Sequence, residues 1–375
     1  MIDRIRLNLL LFAHTTVASL VLAASLGAAL ASVASDVVAP PVAPPAAPAA
    51  APASLASWES SGPLSSEVWD TRWFDESRQR AVPVRVRVPV VDGAAAPLPV
   101  IVFTHGLAGS LDTGRLWGEH WASHGFIVIH VQHPGSDDAA VAGAKNPRSA
   151  MRRAANGTQF IQRLRDLKFV FDELSRIDAT RAQVAGEDTR PERVRLAQRA
   201  DLTRIGLAGH SMGATTVQRL AGQNHAGPQA NGPGPEYEPR ADAFIAFSPS
   251  ARNTQAAAQF AHIDKPFFSI TGTLDGRGPS RLGVPAKNRI VPFEGMRGDN
   301  KYLLNLLGAG HMVFAGSPRK DASAADKVRD FEHVRITRTL TTAFWLAYLK
   351  GDARARAALE AADDYVGRAG EFRSK

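Results

Sequence analysis

The chain has 375 residues, 45% of them hydrophobic, which suffices for one large or two ordinary globular domains and is not the composition of a disordered protein. It contains no cysteine, so disulfides, thiolate metal sites and a thiol nucleophile are excluded; export to an oxidising compartment is permitted but not required. The formal charge is +8, yet no lysine and arginine cluster alternates with aromatics as in a nucleic-acid groove, so the charge reads as solvated surface and no nucleic-acid partner is expected.

Arg4 and Arg6 precede an apolar stretch from about Leu7 to Ala34 that ends in Ala29-Leu30-Ala31 and Ser32-Val33-Ala34, two endings of the signal-peptidase type. Residues 1–34 therefore read as a signal peptide, which predicts a periplasmic or secreted protein. The competing reading is an uncleaved membrane anchor, since the stretch is long enough to span a bilayer, although His14, Thr15 and Thr16 interrupt it. Residues 35–57, almost entirely Ala, Pro and Val between 37 and 53, read as an extended linker. The folded catalytic domain is expected over 58–375.

Val82 to Val91 alternates apolar with polar residues and carries prolines, which predicts a half-exposed edge strand. The pattern then changes to short continuous apolar runs: 98–103, 126–131, 204–208, 243–248, 267–271 and 302–307. Such runs suit strands buried on both faces, as in a parallel sheet. Helical segments fall between them at 115–123, 159–177, 211–222 and 327–350, so the order predicts an α/β fold with a mostly parallel, doubly wound sheet and flanking helices. Residues 135–200 hold more helix than one crossover needs, and Asn224 to Pro239 is rich in Gly and Pro; each is either a small lid over a site or surface decoration.

Gly209-His210-Ser211-Met212-Gly213 follows the apolar run Arg204 to Ala208 and has the form of a nucleophile elbow. A strand that turns sharply into a helix there exposes the serine hydroxyl at a helix N-terminus, and the glycines allow close approach of neighbouring segments. A serine hydroxyl needs a base, and the base an orienting group. In open α/β sheets these groups gather at the C-terminal strand ends. Asp275 follows the run 267–271 and His311 follows 302–307, giving the chain order Ser211, Asp275, His311. His262 and Asp264 precede their strand and belong to the opposite edge; His225 lies in the Gly/Pro-rich loop with no orienting carboxylate near in sequence. His210 is expected to point away from the nucleophile into the elbow packing. His130 and His133 lack an evident third ligand and read as packed or hydrogen-bonded residues, so no metal is expected. Thr104-His105-Gly106-Leu107 follows the run 98–103, and the backbone N–H groups of Leu107 and Met212 are the expected oxyanion donors.

With these motifs in place, the chain resembles the bacterial α/β-hydrolases related to platelet-activating-factor acetylhydrolase, a group often labelled predicted dienelactone hydrolase. The similarity runs from about Trp69 to Leu359 through Thr104 to Ser110, His120 to Gly125, Val131 to Ser136, Gly209 to Gly213, Thr271 to Asp275, Gly308 to Phe314 and Ala343 to Asp352. It implies the same triad, Ser211, Asp275 and His311, and a cofactor-free hydrolysis of carboxylic esters. Dienelactone hydrolases proper use a cysteine nucleophile, which this chain lacks, so that name does not carry over. The expected function is an exported serine esterase acting on a small-molecule, lipid or polymer ester. A lipase or polyester depolymerase, an amidase or peptidase, and a non-catalytic binding protein on the same fold are the other readings. A membrane is a partner only if the N-terminal segment stays uncleaved.

Overall fold

The computed structural model describes residues 54–93, 96–276, 284–316 and 323–375. The expected signal peptide and most of the linker lie outside these residues. The linker's expected end at 57 is corrected: Leu55–Trp58 form a 3-10 helix capped by Ser54, and Leu55 and Trp58 are buried in the core. Their apolar bulk draws the chain onto the body, and His120 Nε2 bonds the Trp58 carbonyl at 2.9 Å.

Among the described residues, nine strands form one sheet. β1 (Ser66–Asp75) and β2 (Arg80–Pro89) make an antiparallel pair. They are followed by β3 (Leu98–Thr104), β4 (Ile127–Val131), β5 (Ala200–His210), β6 (Ala243–Phe247), β7 (Phe267–Leu274), β8 (Lys301–Gly310) and β9 (Gly370–Ser374). The spatial order is β1-β2-β4-β3-β5-β6-β7-β8-β9, in which the six strands from β4 to β8 pair in parallel and β1, β2 and β9 add antiparallel margins. All residues of β3, β4 and β6 are buried, as their continuous apolar sequences require.

The alternating strand is not an edge. β2 lies between β1 and β4, and its valines Val82, Val84, Val86 and Val88 are buried. Pro83 is tolerated because its carbonyl accepts from Gln132 N–H one residue beyond the last β2–β4 ladder pair, Val84 with Val131. Its missing N–H falls at the ladder's end, where it removes no interior bond.

Alternate side chains of the parallel strands point to two separate cores. On one face α1 (Arg115–Ser123), with Trp117 and Trp121, meets a long C-terminal helix on Ile101, Phe103, Ile245 and Phe268. On the other face the β4–β5 connection supplies α2 (Pro147–Ala154), α3 (Gly157–Ala179), α4 (Arg181–Glu187) and α5 (Pro191–Arg199), and α6 (Met212–Leu220) follows β5. Leu167, Val170 and Leu174 of α3 and Val217 and Leu220 of α6 cover Val100, Val102, Leu207 and Phe244 there. A short helix, α7 (Val291–Gly295), precedes β8, and the long C-terminal helix is α8 (Ala324–Leu349). Helices on both faces of a mostly parallel sheet constitute the doubly wound α/β-hydrolase architecture.

Two glycines allow β5 and α6 to approach β3 closely at the elbow. A Cβ on Gly213 would stand 2.2 Å from the Thr104 carbonyl oxygen, and one on Gly209 would meet Thr104 Cγ2 at 2.6 Å and Gly213 backbone at 2.7 Å. Gly213→Ala is therefore expected to lower the melting temperature clearly, whereas Gly186→Ala, inside α4 with open space around it, is expected to be neutral or stabilising by about 0.5–1 kcal/mol. Thermal unfolding of the two variants checks this, and equal midpoints would contradict the packing at the elbow.

Candidate active site

Ser211, Asp275 and His311 are each the first residue after a parallel strand: β5, β7 and β8 respectively. The structure brings all three together. His311 Nε2 lies 2.9 Å from Ser211 Oγ, and His311 Nδ1 lies 2.7 Å from Asp275 Oδ1. A carboxylate only accepts, so Nδ1 carries the imidazole proton and Nε2 offers its lone pair to the serine hydroxyl. Asp275 is fully buried; Thr271 Oγ1 donates to its Oδ2 at 2.8 Å, and its own N–H donates to Gly272 O at 3.0 Å.

Ser211 adopts φ 56° and ψ −112°, a conformation rare for a residue with a side chain. Its N–H donates to Phe247 O of β6 at 2.9 Å, and Thr215 N–H donates to its carbonyl at 3.0 Å. The kink thus loses no backbone hydrogen bond, and the hydroxyl emerges at the start of α6.

Leu107 and Met212 line the same cavity as Ser211, and neither backbone N–H meets a protein acceptor among the described residues. The loop that carries Leu107 is braced. His105 Nδ1 donates to Gly106 O at 2.5 Å, and Gly109 N–H donates to the same carbonyl at 3.2 Å. Because Gly106 O and Leu107 N–H belong to one peptide plane, fixing the carbonyl aims the N–H the other way. His133 N–H donates to His105 Nε2 at 3.0 Å, and Ala108 N–H donates to Ser136 O at 2.9 Å.

Behind this loop lies a buried polar network that the sequence reading did not find. Arg163 of α3 donates to the His105 carbonyl, to Thr104 Oγ1 at 3.2 Å and to Ser136 Oγ at 2.9 Å. Thr104 Oγ1 is 2.8 Å from His133 Nε2, and His133 Nδ1 is 3.1 Å from Asp166 Oδ2. Asp166 also receives Arg78 Nη1 at 2.7 Å and Arg80 Nε at 2.8 Å. Burial opposes its ionisation, but His133 and Arg80 hold the carboxyl well below the usual range. Burial lowers Arg163 to about 9 against the pull of Asp166 and Asp137. Only the apolar spacing of α3 announced that helix; its charged residues looked like any solvated face.

The histidines set aside on sequence grounds fall as follows. His130 Nδ1 bonds Thr113 O at 3.0 Å, and His133 belongs to the network above. His262 and Asp264 precede β7, and His225 lies beyond the far end of α6, away from the strand ends that carry the triad. His210 corrects the expectation: it does not turn away. Its ring packs 4.7 Å from that of His311, its Nε2 donates to the His311 carbonyl at 3.1 Å, and it lines the cavity. The reason is the kink itself, which puts the residue before Ser211 against the β8 loop.

The cavity encloses about 780 Å³, a size suited to a small organic ligand. Met151, Ala155 and Phe160 from the α2–α3 segment form one wall. Of the two stretches expected to offer a lid, 135–200 reaches the site, whereas no described residue of Asn224–Pro239 lines it, because that loop follows α6 at the other end of the sheet.

Residues 77–226 match the family model of platelet-activating factor acetylhydrolase, isoform II. The match includes the His105-Gly106 loop and Ser211 and stops before Asp275 and His311. No curated protein matches the chain. The chain is an α/β-hydrolase related to the serine-nucleophile esterases of that family, and its class is that of an ester hydrolase of the esterase or lipase type.

Burial holds the imidazoles of His105, His130 and His210 well below the ordinary histidine value and lowers His120 and His133 to about 4. Folded, these residues stay neutral where the unfolded chain takes up protons, so stability is full above about pH 6.5 and falls as the pH drops toward 4. Urea midpoints at about pH 7.5, 6 and 5 should decrease in that order. A midpoint constant across this range would contradict the buried neutral histidines.

Proposed function

We propose that this protein is an exported serine hydrolase that cleaves carboxylic esters through Ser211, His311 and Asp275. The observation that carries the reading is the unbroken hydrogen-bond chain from Ser211 Oγ through His311 to Asp275, opening into a cavity beside two unengaged backbone N–H groups. In the proposed reaction His311 Nε2 takes the Ser211 proton as Oγ attacks the ester carbonyl carbon. The carbonyl π pair moves to oxygen, where Leu107 and Met212 N–H groups hold the charge. Collapse of the tetrahedral intermediate breaks the bond to the alcohol oxygen, which leaves with the proton from His311. Water then attacks the acyl-enzyme with His311 as base, releasing the acid and restoring the serine. Asp275 keeps the imidazole in the productive tautomer and stabilises its charged form.

The apolar wall of Met151, Ala155 and Phe160 supports an ester with a hydrocarbon portion and equally supports a lipid ester as substrate. Export rests on the pattern of Arg4 and Arg6, the apolar run and the small-residue endings.

Ser211→Ala is expected to lower kcat/KM on p-nitrophenyl butyrate by about 10⁴-fold or more with circular dichroism unchanged, and a fluorophosphonate probe is expected to label the parent protein at Ser211 alone. Retained turnover in the folded variant would remove Ser211 from the mechanism. Intact-mass measurement on protein recovered from a bacterial periplasm is expected to show a chain beginning after Ala31 or Ala34; recovery of the uncleaved chain in the membrane fraction would support an anchor instead.

A further inference from the structure

Resting on the ester-hydrolase reading above, we infer that Arg289 is a specificity residue that selects esters carrying a carboxylate on the acyl or alcohol portion. Arg289 is a buried residue that lines the cavity holding Ser211 and His311. Its guanidinium is fixed from behind. Nε donates to the Asp275 carbonyl at 3.3 Å, and Nη1 donates to Ser248 O at 2.8 Å and to Pro249 O at 3.2 Å. Nε also stands 3.5 Å from Asp275 Oδ1. Nη2 meets no protein acceptor among the described residues, although Arg289 borders the cavity. Nη2 is not among the sealed-off polar atoms, so it is open to an acceptor that enters the cavity.

The surroundings form a polar corner. Ser248, φ 58°, and Pro249 follow β6, next to the elbow strand, and turn their carbonyls to Arg289. Ser250 comes next and lines the cavity; Gln218 of α6 grips its backbone through Nε2 to Ser250 O at 2.8 Å and Ser250 N to Oε1 at 2.9 Å. Ser250 Oγ lies 3.1 Å from Thr215 Oγ1, which also faces the cavity. One guanidinium and two hydroxyls, all held in place, are thus grouped on the β6–β7 side of Ser211, while Met151, Ala155 and Phe160 come from the segment after β4 on the other side. A guanidinium N–H binds a carboxylate through a charge-assisted hydrogen bond, which is stronger than any it makes to a neutral ester. Asp275 supplies one balancing negative charge to Arg289 and His311 together. When His311 takes the serine proton, the trio carries a net positive charge, which a substrate carboxylate lowers along with the oxyanion.

The test compares matched substrates on the full-length protein and on Arg289→Gln and Arg289→Lys. For the acyl portion the pair is mono-p-nitrophenyl glutarate and p-nitrophenyl butyrate; for the alcohol portion it is para-carboxyphenyl butyrate and its methyl ester. In at least one pair, Arg289→Gln is expected to reduce the ratio of kcat/KM for the acid to that for the neutral ester by about tenfold or more, chiefly through KM. Arg289→Lys should keep part of the preference, since it retains the charge without the fork. The ratio is taken on one preparation, so a variant that folds poorly still reports it. Should both variants fail to fold, free glutarate must inhibit butyrate hydrolysis by the parent protein competitively and more strongly than its diamide. Ratios unchanged in both pairs, or glutarate no better than the diamide, would overturn the inference. If Ser211→Ala hydrolyses butyrate as well as the parent, the ester-hydrolase mechanism fails instead, which separates the two outcomes.

Discussion

The site depends on the backbone of Ser211 being held at φ 56° and ψ −112°. Such a conformation costs on the order of 1–3 kcal/mol and persists only where its surroundings leave no alternative. Three features leave none here. Gly209 and Gly213 let β5 and α6 press against Thr104 of β3 at distances no side chain would permit. Ser211 N–H is tied to Phe247 of β6. Gly206, further back on β5, lies under Trp345 of α8, which a Cβ would meet at 2.6 Å, so the strand cannot shift along the sheet to relax the turn. Both faces of the sheet therefore clamp one residue, and the energy for that clamp comes from two large apolar cores rather than from contacts at the site.

The second constraint is electrostatic. Burying Arg163, Asp166 and His133 together is expensive, and a well-packed apolar cluster would often be as stable or more so. What the network does that hydrocarbon cannot is fix directions. Arg163 pins the His105 carbonyl, His133 N–H pins the His105 ring, and that ring pins the Gly106 peptide whose N–H partner is Leu107. Directed donors keep their position when charge appears on a substrate oxygen, and a preorganised donor gains more from that charge than a mobile one. The stored cost lies behind the cavity wall, at the base of the loop.

Much of this was legible in the sequence because the physics concerned is local. Continuous apolar runs identify β3 to β8, since a strand buried on both faces has no polar position to show. Ser211, Asp275 and His311 could be ordered from their strand ends alone, and the structure then sets them within hydrogen-bond reach. The departures come where neighbours decide. β1, with alternating burial and exposed Val68 and Phe74, has a pattern no stronger than a loop, yet it caps β2 and turns an expected edge into an interior strand. β9 is five residues long and exists because β8 offers it a free ladder. Arg163, Asp166 and Arg289 are charged residues whose burial follows from partners far away in the chain, a relation that spacing cannot express.

The sheet order also explains how the site divides its labour. Ser211 stands at the middle of the parallel core, with β3 and β4 on one side and β6 to β8 on the other. The first side carries the Leu107 loop and its ionic brace; the second carries Asp275, His311, Ser250 and Arg289. Only the second half must accommodate a proton moving onto His311, so its charges change during the reaction, whereas the first half offers fixed donors. Placing the changing charges across the elbow strand from the Arg163 network keeps them apart from the positive charge of Arg163, which burial already disfavours. The two halves still touch, since Gly114 N–H donates to Ala315 O at 2.9 Å and Trp117 Nε1 to Phe314 O at 2.9 Å, so the loop that carries His311 is braced from the β3 side.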